Sequence, residues 1–130
     1  MNPHIAVVSL WAEDVAALAE FYRTVIGLHS VKQRHKRPHF DLDGTYLTIV
    51  QGKPVDAQNS SPVRFPLLAF AVPDLDEAVA RLREHRVALP WGVGHDRRSR
   101  WVMFRDPGGN LVELVEPGEG HTHVREDEVD

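Results

Sequence analysis

The chain has 130 residues, of which 42% are apolar and 26% charged, a composition typical of one folded domain or of two small modules that share a core. No stretch approaches the roughly 18 consecutive apolar residues that span a bilayer, and the absence of cysteine excludes disulfide scaffolds, thiolate zinc sites and cysteine nucleophiles. The formal charge of −4 belongs to residues 118–130, where five acids and one arginine also give −4, so 14 acids and 14 bases remain in residues 1–117.

This neutral body argues against broad nucleic-acid binding, which requires many cations to neutralise phosphates. The first residues carry no basic start and reach Asp14 too early for a secretory signal, so we expect a cytosolic protein without a membrane partner. Residues 118–130 are acidic and lack apolar periodicity, so we expect them to form a flexible tail. Residues 1–117 are then expected to form a single domain.

The first module is predicted over residues 4–52. An apolar run from Ile5 to Trp11 indicates a strand, and Asp14 has the side chain and the position of a helix N-cap. Gly27 ends the helix that follows, because glycine adopts the left-handed conformation required there. Three strand-like segments complete the module at residues 28–35, 38–43 and 45–51.

A linker at residues 53–63 leads to the second module, residues 64–117, which repeats this order. A strand over Leu67–Val72 precedes a helix capped by Asp74, with Glu77 completing a capping box. Strand candidates follow near residues 86–93, 99–105 and 111–116, the last two joined by the tight turn Asp106-Pro107-Gly108-Gly109-Asn110.

The two modules align at an offset of 60 residues, which places Asp14 on Asp74 and Arg23 on Arg83. Each module has the order βαβββ and leaves one face of its small sheet without cover, so pairing the modules buries that face. The sequence therefore predicts an α+β fold in which two paired βαβββ modules form a curled mixed sheet around a central cavity.

Three segments carry a family resemblance: EDVAALAEFYRTVIGL, VPDLDEAVARL and, most specifically, RDPGGNLVELVEP. Together they resemble the vicinal oxygen chelate superfamily, which includes glyoxalase I, extradiol dioxygenases and the fosfomycin and bleomycin resistance proteins. The resemblance covers about residues 5–117. It implies paired βαβββ modules around a ligand cavity and, commonly, a homodimer.

In the metal-dependent members of that superfamily, the first and last strands of both modules supply four ligands. Counting back from the helix caps places these positions at Val7 and Leu67, and the last strands supply Thr48 and Glu113. Valine and leucine have no lone pair, and one carboxylate cannot hold a transition metal tightly against water. We therefore expect no metal site and no cofactor, unless a divalent ion binds to displaced ligands.

Strand alternation extends this assignment to the other residues that face the cavity. Most are apolar, which suits a small, partly apolar organic ligand, although the same side chains could simply fill a core. The expected ligand-binding residues are Val7, Ser9, Trp11, His39, Tyr46, Thr48, Leu67, Trp101, Met103 and Glu113.

Glu113 is also the candidate catalytic residue, because burial raises the pKa of a carboxyl group and suits it to act as a general base. The alternative is a remnant of an ancestral metal site, paired with a neighbouring Arg, His or Tyr.

The histidines and the basic hairpin tips leave alternatives open. His39 heads a strand and lies either on the surface or at the cavity rim. Arg100 and its neighbours Arg97 and Arg98 either keep a strand edge soluble or clamp an anion, for which arginine is well suited. Trp11 and Trp101 either pack in a core or interface or stack on a planar ligand.

Two functions follow. The first is a metal-free binding protein that sequesters a small organic compound, of the resistance type. The second is a lyase, isomerase or dioxygenase-type enzyme that uses Glu113 as a metal-free base or uses a displaced metal site with ligands such as His39. A third interpretation, a regulatory domain that uses the paired modules for dimerisation, also stays open.

Overall fold

The computed structural model describes residues 3–31, 37–53 and 66–118, so the predicted tail beyond Gly118 and residues 54–63 of the predicted linker lie outside the described residues. The described elements follow the order βαβββ twice. They are β1 (Val7–Ala12), α1 (Val15–Phe21), a π-helical turn (Tyr22–Ile26), β2 (His29–Val31), β3 (His39–Asp41), β4 (Tyr46–Gln51), β5 (Leu68–Ala71), α2 (Leu75–Glu84), β6 (Val93–His95), β7 (Ser99–Arg105) and β8 (Leu111–Pro117).

The chain divides into two compact units, and each contains one four-stranded mixed sheet. The first unit holds β1 to β4 in the order β1-β4-β3-β2, with β1 and β4 parallel and the other pairs antiparallel. The second holds β5 to β8 in the equivalent order β5-β8-β7-β6, with β5 and β8 parallel. The predicted α+β architecture of two βαβββ modules is confirmed.

Each sheet is covered on one side by the helix of its own unit, which buries the apolar stripe that the sequence predicts. In both units the largest buried side chains come from the helix and the central strands. In the first unit they are Leu18, Tyr22, Phe40, Leu47 and Ile49, and in the second Leu75, Leu82, Val102, Phe104 and Val112.

Both helices begin at the predicted aspartates. The carboxylate of Asp14 accepts a hydrogen bond of 3.0 Å from the Ala17 amide, and that of Asp74 accepts one of 3.1 Å from the Glu77 amide. The α2 helix has a second cap, because Glu116 accepts a bond of 3.0 Å from the Leu75 amide. Gly27 ends the first helical segment at φ 87°, as its sequence position predicts.

One strand prediction is wrong. Residues 86–93 were expected to form a strand, yet β6 covers only Val93–His95. The preceding stretch is irregular because Arg86 and Gly92 both adopt positive φ and Pro90 lacks the amide that a ladder needs. The strand predicted over 28–35 is described only as His29–Val31, since residues 32–36, including His35, lie outside the described part.

One hairpin turn falls in the opposite unit from its strands. Although β7 and β8 belong to the second unit, the segment Arg105–Asn110 between them belongs by its contacts to the first unit. The buried residue of this turn is Asp106, which is 4% exposed and accepts a hydrogen bond of 2.7 Å from the Tyr22 hydroxyl. The turn is therefore part of the packing of the first helix.

Candidate functional site

The first sheet has one face without a helix, and its first strand shows this directly. Along β1 the side chains of Val7, Ser9 and Trp11 are exposed, whereas Val8 and Leu10 are half-buried on the helix side. This alternation agrees with the sequence-based assignment of the open face.

The strand register brings the other predicted residues of the first module onto the same face. Ser9 pairs with Thr48, which pairs in turn with His39, so these three polar side chains form one row across β1, β4 and β3. A second row joins Val7, Tyr46 and Asp41. All six binding residues predicted in the first module thus share one face of the first sheet.

Trp11 is the largest exposed side chain of this face, with 53% of its surface accessible. Its benzo ring fills the space beside Gly52, where a Cβ atom would overlap the ring. Its backbone carbonyl accepts a bond of 3.3 Å from the side-chain amide of Asn110, in the turn that Asp106 organises. Glycine and the turn therefore fix the position of the strand end that carries this indole.

The second sheet has an equivalent open face with different chemistry. Ala69 pairs with Glu113 and Ala71 pairs with Val115 across β5 and β8. Trp101 pairs with Gly94, where a Cβ atom would lie 2.5 Å from the indole Cε2 and Nε1 atoms. This glycine therefore makes room for the second indole, as Gly52 does for Trp11.

Met103 and Leu67 complete the predicted residues of the second module. The β7–β8 hairpin closes with a bond from the Asp106 amide to the Asn110 carbonyl, so residues 106 and 110 are paired. Counting three residues along each strand from this pair places Met103 opposite Glu113. Leu67, 41% exposed, directly precedes β5. Glu113 is thus surrounded on its sheet by apolar side chains.

Glu113 is a partly buried carboxyl group on this apolar face. Burial raises its pKa, as the sequence analysis expects. The alternative of a paired remnant finds no support in residues 3–31, 37–53 and 66–118, where no hydrogen bond or ion pair to Glu113 is present. The group is available for a ligand that donates a hydrogen bond or carries a positive charge.

The structure bears on whether the histidines can bind a metal and whether Arg100 can bind an anion. Within the described residues no three His, Asp or Glu side chains lie close enough to hold a metal ion. His4 and His95 are exposed, whereas His39 is half-buried and lies in the polar row. Arg100 bonds Asp76 at 2.6 Å and lies 3.6 Å from Glu116, so its charge is already neutralised and is poorly placed to clamp an anion.

The pairing of Tyr22 with Asp106 was not predicted from the sequence. Burial is the main reason that the pKa of each group is raised, and the hydroxyl of Tyr22 donates to the carboxylate. Asp106 also accepts bonds from the Gly108 and Asn110 amides and from the Asn110 side chain. The available signal was the hydroxyl of Tyr22 within an apolar stripe, because a buried tyrosine usually finds a partner.

Comparison with known proteins agrees with this architecture. The model of the Glyoxalase/Bleomycin resistance protein/Dioxygenase superfamily matches residues 3–114. The chain belongs to this superfamily. The match begins before β1 and ends within β8, just after Glu113.

Among the relatives is the uncharacterized protein YaeR of Escherichia coli (strain K12), which is 33% identical over an alignment of 123 residues; the match covers 87% of this chain and 93% of YaeR. The solved structures that share the fold include two resistance-type or antibiotic-binding proteins. TnmS3, an antibiotic binding protein from Streptomyces sp. CB03234, has a TM-score of 0.69 and 24% identity over 90% of this chain and 98% of its own. The fosfomycin resistance protein FosX of Listeria monocytogenes has a TM-score of 0.73 and 18% identity over 89% and 94%.

Proposed function

We propose that the chain is a metal-free binding protein that sequesters a flat, partly apolar organic compound. The observation that carries this proposal is the pair of indoles, Trp11 and Trp101, each set beside a glycine on the helix-free face of its sheet. An accessible indole offers a large apolar surface on which planar molecules stack. TnmS3, an antibiotic binding protein with the same fold, gives independent support.

The side chains do not fit the metal that the superfamily resemblance implies. At the four positions concerned, Val7 and Leu67 offer no donor atom. Thr48 offers only a neutral hydroxyl, which donates a hydrogen bond of 2.9 Å to the Pro38 carbonyl. Glu113 alone is a good ligand, and one carboxylate is too few for tight binding of a divalent transition ion.

Binding of planar antibiotics would test the proposal through the tryptophans themselves. We would titrate a panel of planar aromatic antibiotics and follow both the heat of binding and the tryptophan fluorescence. Trp11→Ala and Trp101→Ala are expected to weaken binding about tenfold or more, since base-like stacking on an aromatic side chain contributes on the order of 1–3 kcal/mol.

Trp91→Ala provides the matched control. Trp91 is 43% exposed, similar to Trp11, but it lies in the turn before β6 and outside both sheet faces. It should leave the affinity unchanged. Absence of binding across the panel, or equal losses in all three variants, would contradict the proposal.

One observation favours an enzymatic alternative: Glu113 has no partner in the described residues, and its pKa is raised. A carboxylate that has no hydrogen-bond partner and a raised pKa can accept a proton from a bound substrate. In that case Glu113→Gln would abolish turnover and retain binding. A stoichiometric divalent ion that survives dialysis of protein purified without a histidine tag would instead indicate displaced metal ligands.

The oligomeric state, the location and the partners of the protein stay predictions. We expect a homodimer in the cytosol that binds neither nucleic acid nor a membrane. The neutral charge of residues 1–117 supports the lack of nucleic-acid binding. In the part of the chain that the structure describes, no helix has both the length and the apolar character required to cross a bilayer. The central cavity predicted between the modules is likewise a prediction.

A further inference from the structure

The polar row of the first sheet, Ser9, Thr48 and His39, carries information about the ligand. The three residues are register partners on adjacent strands, so their side chains are spaced by about 4.8 Å along the row. Two of them make hydrogen bonds to backbone carbonyls. A carbonyl oxygen only accepts, which determines where the protons of these side chains lie.

Thr48 has one hydroxyl proton. Its Oγ1 atom lies 2.9 Å from the Pro38 carbonyl, so that proton is donated to the backbone. Thr48 is 4% exposed. Because its proton is used, the Oγ1 atom has only a lone pair left for a further hydrogen bond. Thr48 is therefore a hydrogen-bond acceptor for anything bound on this face.

His39 is fixed by the same reasoning. Its Nδ1 atom lies 3.0 Å from the Arg37 carbonyl, and only a protonated nitrogen can make that bond. In a neutral imidazole the second nitrogen then has no proton, so Nε2 presents a lone pair. His39 and Thr48 thus form two neighbouring acceptors whose donor protons are already used.

The charged groups near this row favour the same type of partner. Asp41 lies on the same face, opposite Tyr46, and its Oδ1 atom accepts a bond of 2.9 Å from the Asp43 amide. Among the described residues of β1, β3 and β4, this face presents no lysine or arginine.

We propose that the compound bound by this protein is a hydrogen-bond donor, a flat molecule with amidine, amine or amide N–H groups that donate to His39 Nε2 and Thr48 Oγ1. This inference rests on the proposed binding function and defines the chemical class of its ligand. Ser9 and Tyr46 carry hydroxyls that serve as donor or acceptor, so the selection comes from His39 and Thr48.

Three probes that share one ring system separate the two proposals: 2-naphthamidine, 2-naphthoate and 2-methylnaphthalene. The amidine provides N–H donors, the naphthoate provides only acceptors, and the methyl compound provides neither. The amidine should bind at least about tenfold more tightly than the methyl compound, because unpaired acceptors penalise a ligand without donors. The naphthoate should bind most weakly, since its carboxylate faces acceptors.

Thr48→Val removes the acceptor with little change in shape and should reduce the preference for the amidine about fivefold or more. Thr45→Val is the matched control, because the Thr45 hydroxyl is buried and without a partner among the described residues. It should leave the preference unchanged. Thermal unfolding of both variants separates a local effect from loss of the fold.

The tautomer of His39 gives a readout independent of affinity. Long-range ¹⁵N–¹H correlation spectra of the neutral imidazole should show His39 protonated at Nδ1. His39→Gln assigns the signal. Addition of 2-naphthamidine should shift Nε2, and addition of 2-methylnaphthalene should not.

The outcomes are distinct. If all three probes bind equally and binding depends on Trp11, the binding function holds and the donor class is wrong. An Nε2-protonated His39 also overturns the donor class. If no probe binds, the binding function fails, and the inference about its ligand fails with it.

Discussion

The two sheet faces have the same construction and different chemistry. Each belongs to a βαβββ unit with an aspartate at the helix start, and each sets a tryptophan beside a glycine. The first face carries a row of hydroxyl and imidazole groups, two of which bond to backbone carbonyls, whereas the second carries one carboxyl group among apolar side chains. Caps, turns and buried residues maintain the repeated fold, so the open faces are free to differ.

The largest expected effect tests whether the two units depend equally on their turn aspartates. Asp106→Ala removes the acceptor of Tyr22 and of two backbone amides in a buried position, so it should reduce the free energy of unfolding by about 3 kcal/mol. Chemical denaturation measures this. Tyr22→Phe leaves the other donors of Asp106 in place and should cost only about 1–2 kcal/mol.

Asp96→Ala is the control from the second unit. Asp96 also accepts bonds from two turn amides, those of Arg98 and Ser99, but it is fully exposed to solvent. Its replacement should cost clearly less than that of Asp106. Equal losses would mean that burial of the Tyr22–Asp106 pair adds nothing to stability.

The glycine beside each indole gives the next effect. Gly94→Ala places a Cβ atom 2.5 Å from the Trp101 ring and forces the ring to move, which should cost about 1–3 kcal/mol of stability. The tryptophan emission spectrum should change at the same time. Gly44→Ala also introduces a Cβ, at a positive φ of 113° in open space, so it should cost stability without changing the emission.

The two helix caps give a smaller effect. Asp14→Ala should cost about 1 kcal/mol, because its carboxylate is the side-chain cap of α1. Asp74→Ala should cost less, since Glu116 still accepts the Leu75 amide at the start of α2. Equal losses in thermal unfolding would show that the bond from Glu116 contributes no capping.

The smallest effect concerns Glu113. Burial raises its pKa in the folded protein above the unfolded value of about 4.3. Its ionisation therefore destabilises the folded state as the pH rises through the interval between the two values. Glu113→Gln should slightly raise the melting temperature at about pH 7 and have no effect below about pH 4.

Glu116→Gln, three residues further along β8, should have the opposite sign. The Glu116 carboxylate lies near Arg100 and accepts the Leu75 amide, so its neutralisation removes favourable interactions. A gain in stability from both substitutions would contradict the assignment of Glu113 as the unpartnered carboxyl group.

Local sequence signals predicted what local chemistry determines. Asp14, Gly27, Asp74 and the Asp106–Asn110 turn lie where their side chains or conformations require, and strand alternation placed the open face of β1 correctly. The strand predicted over residues 86–93 failed because Pro90 and the positive φ of Gly92 outweigh its apolar content.

Other features depend on long-range contacts that a single sequence does not record. The Tyr22–Asp106 bond joins residues 84 positions apart. The tautomer of His39 depends on the Arg37 carbonyl, whose direction follows from the backbone that leads into β3. The site residues could be placed on a face from the sequence, whereas the protons they carry could not.

The location of the Arg105–Asn110 turn has a consequence for dissecting the chain. Residues 1–64 expressed alone would contain the buried Tyr22 hydroxyl without Asp106, the carboxylate that accepts its hydrogen bond. Such a fragment lacks the Arg105–Asn110 part of its compact unit, even though it contains a whole βαβββ module. The sequence repeat and the compact unit therefore have different boundaries in this protein.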